Sequence, residues 1–370
     1  MSGVVGCSSD PAAPPGGSDG GVGADGSSGG TGPDGGDGGS GGCGATAPVT
    51  TLGTVDPNAF DLISAGDYVV VRDNNAGLDT TIPGVKTGGL VRVPKAGGNA
   101  ELALAPTAPD RRISGFHAEG NVLYAIDYKA GTPTDTSVVK KTLPGGTVEA
   151  LGISGLFDGM TATIVASDAA NLYFRGFPNG GGGARIYRAP KAGGAVELVT
   201  RHAGANTDVF NVSLVGDTFW FTETLGGKST FYTAPANGND VAPTKIDGPN
   251  KCFGNIVVAA AGVACLGGTK AYGYDPAFTS EKLLFDSNEG RTVELAVPAL
   301  VDGSRVLLVE SASRPTVPLR AVPIGGGPVT NLTCDRARII DLRADDTHFY
   351  WLEDRGNPGA NVRSVYKMAK

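Results

Sequence analysis

Residues 184–200 read Ala-Arg-Ile-Tyr-Arg-Ala-Pro-Lys-Ala-Gly-Gly-Ala-Val-Glu-Leu-Val-Thr, and the chain repeats this unit. Each half alternates apolar and polar residues, the period of a strand with one buried face. Gly193-Gly194 between them supplies the positive φ angles of a tight hairpin. The unit returns closely at 90–104 and more loosely at 138–151 and 319–332, around Gly145-Gly146 and Gly325-Gly326-Gly327. A recurring hairpin is an internal repeat, and a repeat constrains the fold more than any composition does.

A second marker accompanies it: a polar turn followed by a short aromatic or aliphatic strand. Val69, Tyr124, Tyr173, Trp220, Ala264, Leu307 and Tyr350 are the equivalent positions, separated by 55, 49, 47, 44, 43 and 43 residues. Seven copies with a period mostly in the forties match the blades of a β-propeller. Each copy divides into four strands, a to d; in the third they are 162–166, 172–175, 185–189 and 195–200. No segment of useful length carries the helical period. The expected fold is therefore all-β, a β-propeller of seven four-stranded blades, with six as the alternative count.

The seventh copy ends at its strand c, near Tyr366-Lys367-Met368, and lacks strand d. The one unassigned strand-like piece is 48–54, which resembles strand d elsewhere. Pairing it with the C-terminal strand, Thr51 facing the region of Tyr366, would close the ring and remove the bare faces between first and last blades. Asp and Gly in the a–b turns, such as Asp168 and Asp217, read as turn residues rather than catalytic ones. Tyr173, Trp220 and Tyr350 read as core between blades.

The first 46 residues differ in kind. They hold five of the 37 acids and no base, which leaves 32 acids against 30 bases in 47–370. A nearly neutral folded part gives no support to nucleic-acid binding. Residues 8–46 are mainly Gly, Ser, Asp, Pro and Ala, too poor in large apolar side chains to fold, and are expected to be a flexible tether. Val4-Val-Gly-Cys7 resembles a bacterial lipobox, which implies lipidation of Cys7. Only six residues precede it, too few for the charged and apolar regions of a signal peptide, so the start codon is expected to lie upstream or the chain to be truncated. No stretch approaches the length of a membrane-spanning helix.

The repeat as a whole, Asn/Asp-x-apolar-Tyr-Phe followed by Ile-Tyr-Arg-x-Pro-Lys-x-Gly-Gly-x-x-x-Leu, resembles the propeller repeats of lipoproteins from myxobacteria. It is more distantly similar to YWTD, TolB-type and NHL-type propellers. The resemblance covers about 47–370. It implies a lipid-anchored, monomeric envelope protein on a bacterial outer membrane or cell surface, touching the membrane only through its anchor. Its members span binding modules and a few lyases and lactonases, so fold does not decide activity.

Chemistry-bearing residues are sparse. His117, His202 and His348 are dispersed, without metal-ligand spacing, and no catalytic or phosphate-binding motif is present. No metal, cofactor or catalytic residue is expected. Of the five cysteines, Cys252 and Cys265 flank one hairpin and form a candidate disulfide, although Cys265 in an apolar strand reads more simply as a buried thiol. The d–a connectors, with the long b–c loops, carry Arg111, Arg112, Arg201, His202, Lys251, Arg291, Arg336 and Arg338. Solvated rim charge is the simpler reading of these groups; if the ring has a binding face, it is this one, for an envelope protein or glycan. The alternative is a hydrolase or lyase at the channel mouth.

Overall fold

The alternating segments form strands wherever the structure is described: residues 47–370 apart from 74–87, 109, 130, 156, 179–182, 202–207, 226–227, 247–255, 260, 268, 288–299, 303, 310–316 and 355–361 of a computed structural model. Strand β1 (Val49–Val55) comes first and joins none of its sequence neighbours. Blade 1 is β2 (Ala59–Ala65), β3 (Tyr68–Asp73), β4 (Leu90–Pro94) and β5 (Glu101–Leu104). Blade 2 is β6 (Arg111–Glu119), β7 (Val122–Lys129), β8 (Thr132–Thr142) and β9 (Glu149–Ala150). A short piece, β10 (Ile153–Ser154), follows. Blade 3 is β11 (Phe157–Ser167), β12 (Asn171–Pro178), β13 (Arg185–Pro190) and β15 (Glu197–Thr200), with β14 (Gly194–Ala195) in its c–d turn. Blade 4 is β16 (Asp208–Val215), β17 (Thr218–Leu225), β18 (Lys228–Pro235) and β19 (Thr244–Ile246). Blade 5 is β20 (Ile256–Ala259), β21 (Gly262–Gly267), β22 (Lys270–Tyr274) and β23 (Glu281–Asp286). Blade 6 is β24 (Leu300–Asp302), β25 (Arg305–Val309), β26 (Val317–Pro323) and β27 (Thr330–Arg336). Blade 7 is β28 (Arg338–Ala344), β29 (His348–Asp354), β30 (Arg363–Ala369) and, as its outer strand, β1.

The chain is thus a seven-bladed β-propeller, and the seven marker positions fall one in each strand b. Closure follows the expected pairing: β1 runs antiparallel to β30 from Val49 opposite Met368, through Thr51 opposite Tyr366, to Val55 opposite Arg363. The core is divided in the same way. Seven clusters of buried side chains are found among the described residues, each drawn from two adjacent blades. The cluster between blades 7 and 1 includes Leu52 and Val55 of β1. Trp351, wholly buried between blades 6 and 7, stacks on Tyr366 with ring centroids 5.6 Å apart. Trp220 packs between blades 4 and 5, as its column position suggested, but is only partly buried, against Phe278 at 6.1 Å.

The glycine pairs do more than turn the chain. Gly193 and Gly194 have φ of 92° and 133°, and Gly97 and Gly98 have 91° and 142°, as a side chain would resist. A Cβ on Gly193 would also stand 2.3 Å from Leu151 O of the preceding blade. The turn lies flat against that neighbour, and Gly194 N–H donates to Gly152 O at 3.3 Å. In the looser copy, neither Gly145 nor Gly146 is left-handed, and Gly146 N–H instead closes a turn onto Thr142 O at 2.8 Å.

The lysine of Pro-Lys-Ala-Gly-Gly clasps the previous blade. Lys95 Nζ reaches Asp345 Oδ2 at 2.7 Å and stands 5.0 Å from the Tyr350 ring centroid; Lys191 Nζ reaches Glu119 at 2.5 Å and stands 5.7 Å from the Tyr124 ring. The turn aspartates have the structural role read from the sequence. Asp345 accepts from Thr347 N–H, His348 N–H and Tyr350 O–H, and Asp168 from Ala170 N–H, Asn171 N–H and Tyr173 O–H. Burial pushes the Asp345 carboxyl upward, but the bonds from Lys95, Thr347 and Tyr350 outweigh it and hold the group well below the carboxylate range. Tyr173, partly desolvated and bound to Asp168, is pushed up to about 12.

A carboxyl whose folded pKa is depressed contributes stability above its unfolded pKa, near 3.9, and loses it as pH falls toward the folded value. Asp345→Asn should therefore lower the melting temperature at pH 7 and flatten its decline below about pH 4. Thermal melts of both proteins from pH 7 to pH 2 test this; parallel curves would show that Asp345 contributes no such linkage.

Candidate binding face and central channel

Antiparallel blades place the starts of strands a and c and the ends of b and d on one face, here the connector face. The a–b turns and c–d hairpins lie on the other. Of the basic residues read from the sequence, Arg111, Arg112, Arg201, Arg336 and Arg338 are described and lie toward the connector face, but two of them are used internally. Arg111 Nε stands 3.2 Å from Asp127 Oδ2 and its Nη2 donates to Asp127 O at 2.6 Å. Arg336 pairs with Glu353 at 3.7 Å, with its guanidinium 5.2 Å from the Tyr366 ring. Both carboxylates also grip the incoming connector: Asp127 accepts from Thr107 N–H at 3.1 Å, and Glu353 from Ala337 N–H at 3.1 Å.

These buried acids were missed in the sequence, although a signal was there. Asp127, Glu223 and Glu353 each follow the marker residue of their blade by three positions. An acid recurring inside an apolar strand marks a repeated buried partner.

Of the other basic candidates, Arg112 is half-buried and donates to Arg111 O at 2.8 Å, and exposed Arg201 donates to Asp240 O at 2.6 Å. Arg338 is exposed at the start of β28. His202, Lys251 and Arg291 lie outside the described residues, as do Cys7 and Cys252. Cys265 and Cys334 are each disulfide-bonded, which overturns the reading of Cys265 as a free thiol. Near the same face, Phe210 is 37% exposed with the Arg175 guanidinium 4.9 Å from its ring. Arg175 is anchored by its Nε–H to Val209 O, and burial lowers its pKa.

The inner strands enclose a cavity of about 460 Å3, lined from blades 7, 1, 2 and 3 by residues that include Asp61, Arg72, Ser114, His117, Thr163 and Arg343. A register shift interrupts the a–b ladders of β2, β6, β16 and β28. Such bulges re-aim side chains. The shifts in β2 and β6 leave Asp61 and Ser114 outside the ladder, and both line the cavity. Asp61 and Asn211 take φ of 51° and 50°, a left-handed conformation that Asx residues tolerate best.

Charge in the cavity is arranged in pairs. Asp61 meets Arg72 at 2.5 Å, and Arg72 lies 4.1 Å from the Phe60 ring and donates to Ser114 O. Asp341 bridges blades 7 and 1, accepting from Leu62 N–H at 2.6 Å and from Arg343 Nη1 at 2.6 Å; burial raises its pKa. His117 Nε2 is 3.1 Å from Ser167 Oγ, and burial lowers the imidazole pKa. His348 is half-buried beside Tyr350, as its place in strand b suggested. Among the described residues, no three His, Cys, Asp or Glu side chains group as metal ligands.

No family model matches this chain, and no curated protein is similar to it. Solved structures do share its fold. A prolyl endopeptidase structure superposes with a TM-score of 0.57 at 12% identity, over 86% of this chain and 49% of that one, so the chain spans about half of the enzyme. YCF48 bound to a D1 peptide superposes with a TM-score of 0.54 at 14% identity, over 88% of this chain and 95% of that one. A TolB structure from Agrobacterium tumefaciens gives 0.43 at 13% identity, over 73% and 94%. At these identities the likeness is one of fold, and the fold is the one the strands themselves define: a closed propeller.

Proposed function

We propose that this protein is a non-enzymatic binding propeller, tethered in the bacterial cell envelope through Cys7 and residues 8–46, which offers its connector face to a protein or glycan. The observation that carries the reading is Phe210. It is one of four exposed large apolar side chains among the described residues, and a guanidinium anchored by its own hydrogen bond packs against it. Exposed aromatics and arginines on a rigid frame are the usual anchors of protein interfaces. Arg201 and Arg338 are exposed on the same face. Two disulfide-bonded cysteines fit an oxidising, extracytoplasmic compartment. YCF48, of similar fold, is bound to a peptide.

The test uses the full chain as bait in an envelope extract, beside a variant carrying Phe210→Ala, Arg201→Ala and Arg338→Ala and a control altered on the hairpin face at Lys282→Ala. The connector-face variant should lose a specific partner at least tenfold, with its melting temperature within about 2 °C of wild type, as expected for surface changes. The control should retain the partner. Equal recovery by all three proteins would refute the assignment of the face. The hydrolase alternative has one contact in its favour, His117 with Ser167, but Glu119 nearby is held by Lys191 at 2.5 Å. Ester or lactone turnover abolished by Ser167→Ala would overturn the non-enzymatic reading.

A further inference from the structure

We propose that the central cavity is a binding site for a small hydroxycarboxylate of the sugar-acid kind, its carboxylate received by Ser114, Arg72 and Arg343 and its hydroxyls by Asp61. The site uses none of Phe210, Arg201 and Arg338, so it stands or falls independently of the partner proposed for the connector face.

The first observation is an unmet hydrogen bond. Ser114 is 8% exposed and lines the cavity, yet its Oγ has no partner among the described residues; Arg72 Nε is buried and unpartnered in the same way. Buried polar atoms in folded proteins are nearly always satisfied, by protein, water or ligand. Here two such atoms belong to neighbouring cavity-lining residues, joined by the bond from Arg72 to Ser114 O. The bulge that takes Ser114 out of the ladder leaves its side chain at the cavity wall.

The second observation is the balance of the lining. Arg343 is 33% exposed, and among the described residues only its Nη1 is engaged, by Asp341 Oδ1 and Leu342 O. It remains a planar donor suited to a carboxylate. Asp61 is half-exposed and uses Oδ2 on Arg72, which leaves Oδ1 as an acceptor. A bare anion such as phosphate would use the donors but face the carboxylate of Asp61. A neutral sugar would use Asp61 but leave the guanidinium donors without an anion. A molecule with one carboxylate and several hydroxyls meets both. Phe116, Leu62 and Ile164 supply an apolar wall. The volume, about 460 Å3, falls within the range of small-molecule sites.

Calorimetric titration of the purified full chain with glucuronate, glucose, acetate and inorganic phosphate tests the proposal. Glucuronate should bind saturably at one site, at least tenfold tighter than the other three. Ser114→Ala should weaken glucuronate about fivefold without loss of melting temperature, because the hydroxyl it removes has no partner. Arg343→Gln should weaken it at least tenfold. Three results would each overturn the proposal: no binding of glucuronate, binding of glucose, phosphate or acetate as tight as that of glucuronate, or both variants binding like wild type.

Discussion

Deletion of residues 47–55 is expected to lower the melting temperature by about 10 °C or more, or to abolish cooperative unfolding. β1 is the outer strand of the last blade, not a leader. It forms a six-pair ladder with β30 and places Leu52 and Val55 in the core between blades 7 and 1. Its Leu52 O accepts from Gly98 N–H at 2.9 Å, which ties the first blade's hairpin to the last blade. Ladder bonds contribute about 1 kcal/mol each and each buried aliphatic side chain roughly 1.5–3 kcal/mol, so the loss is several kcal/mol. At about 2–4 °C per kcal/mol, that is the stated shift. Removing nine residues from within 8–46 serves as the control and should leave the melt unchanged. A sharper version introduces Thr50→Cys and Lys367→Cys, which face each other in the ladder. Mass spectrometry of the oxidised monomer should show the intrachain crosslink. A deletion without cost and a pair that never crosslinks would together reject closure by β1.

Glu353→Ala should destabilise the fold by about 3–5 kcal/mol, the usual consequence of removing one partner of a buried ion pair. Glu353 is 3% exposed and joins three elements: it accepts from Ala337 N–H in the connector from blade 6, from Trp351 Nε1–H at 3.1 Å, and pairs with Arg336. Its loss leaves a guanidinium and two N–H donors facing an apolar seam. Asp127→Ala should behave alike, since Asp127 holds Arg111 and Thr107 in blade 2. Chemical denaturation of both variants measures this. A loss under 1 kcal/mol in both would show that the connectors do not depend on the carboxylates.

These two cases separate what was legible from what was not. The period of the marker residues established seven blades, because each blade buries the same strand b between two neighbours and so repeats its apolar pattern. The missing outer strand of the last copy and the spare strand-like piece at 48–54 implied closure. That Thr51 faces the region of Tyr366 could also be anticipated; the exact register came from the structure. The roles of the rim arginines could not. Arg111 and Arg338 look alike in sequence, each at the start of a strand a. Yet Arg111 folds onto buried Asp127, whereas Arg338 is exposed at the surface. That difference depends on which base reaches the buried acid of the blade: Asp127 is met by Arg111, Glu353 by Arg336 from the strand before.

The sequence by itself determined the architecture, since a two-residue alternation and a repeat near forty-five residues are local properties that survive in one dimension. Only the tertiary structure decided the cavity. Its wall joins Asp61, Ser114, Thr163 and Arg343 from four blades, and the bulges that take Asp61 and Ser114 out of their ladders break the very alternation by which strands are read. A site assembled across blades from residues that depart from the repeat leaves no period to detect, because its geometry arises when the ring closes.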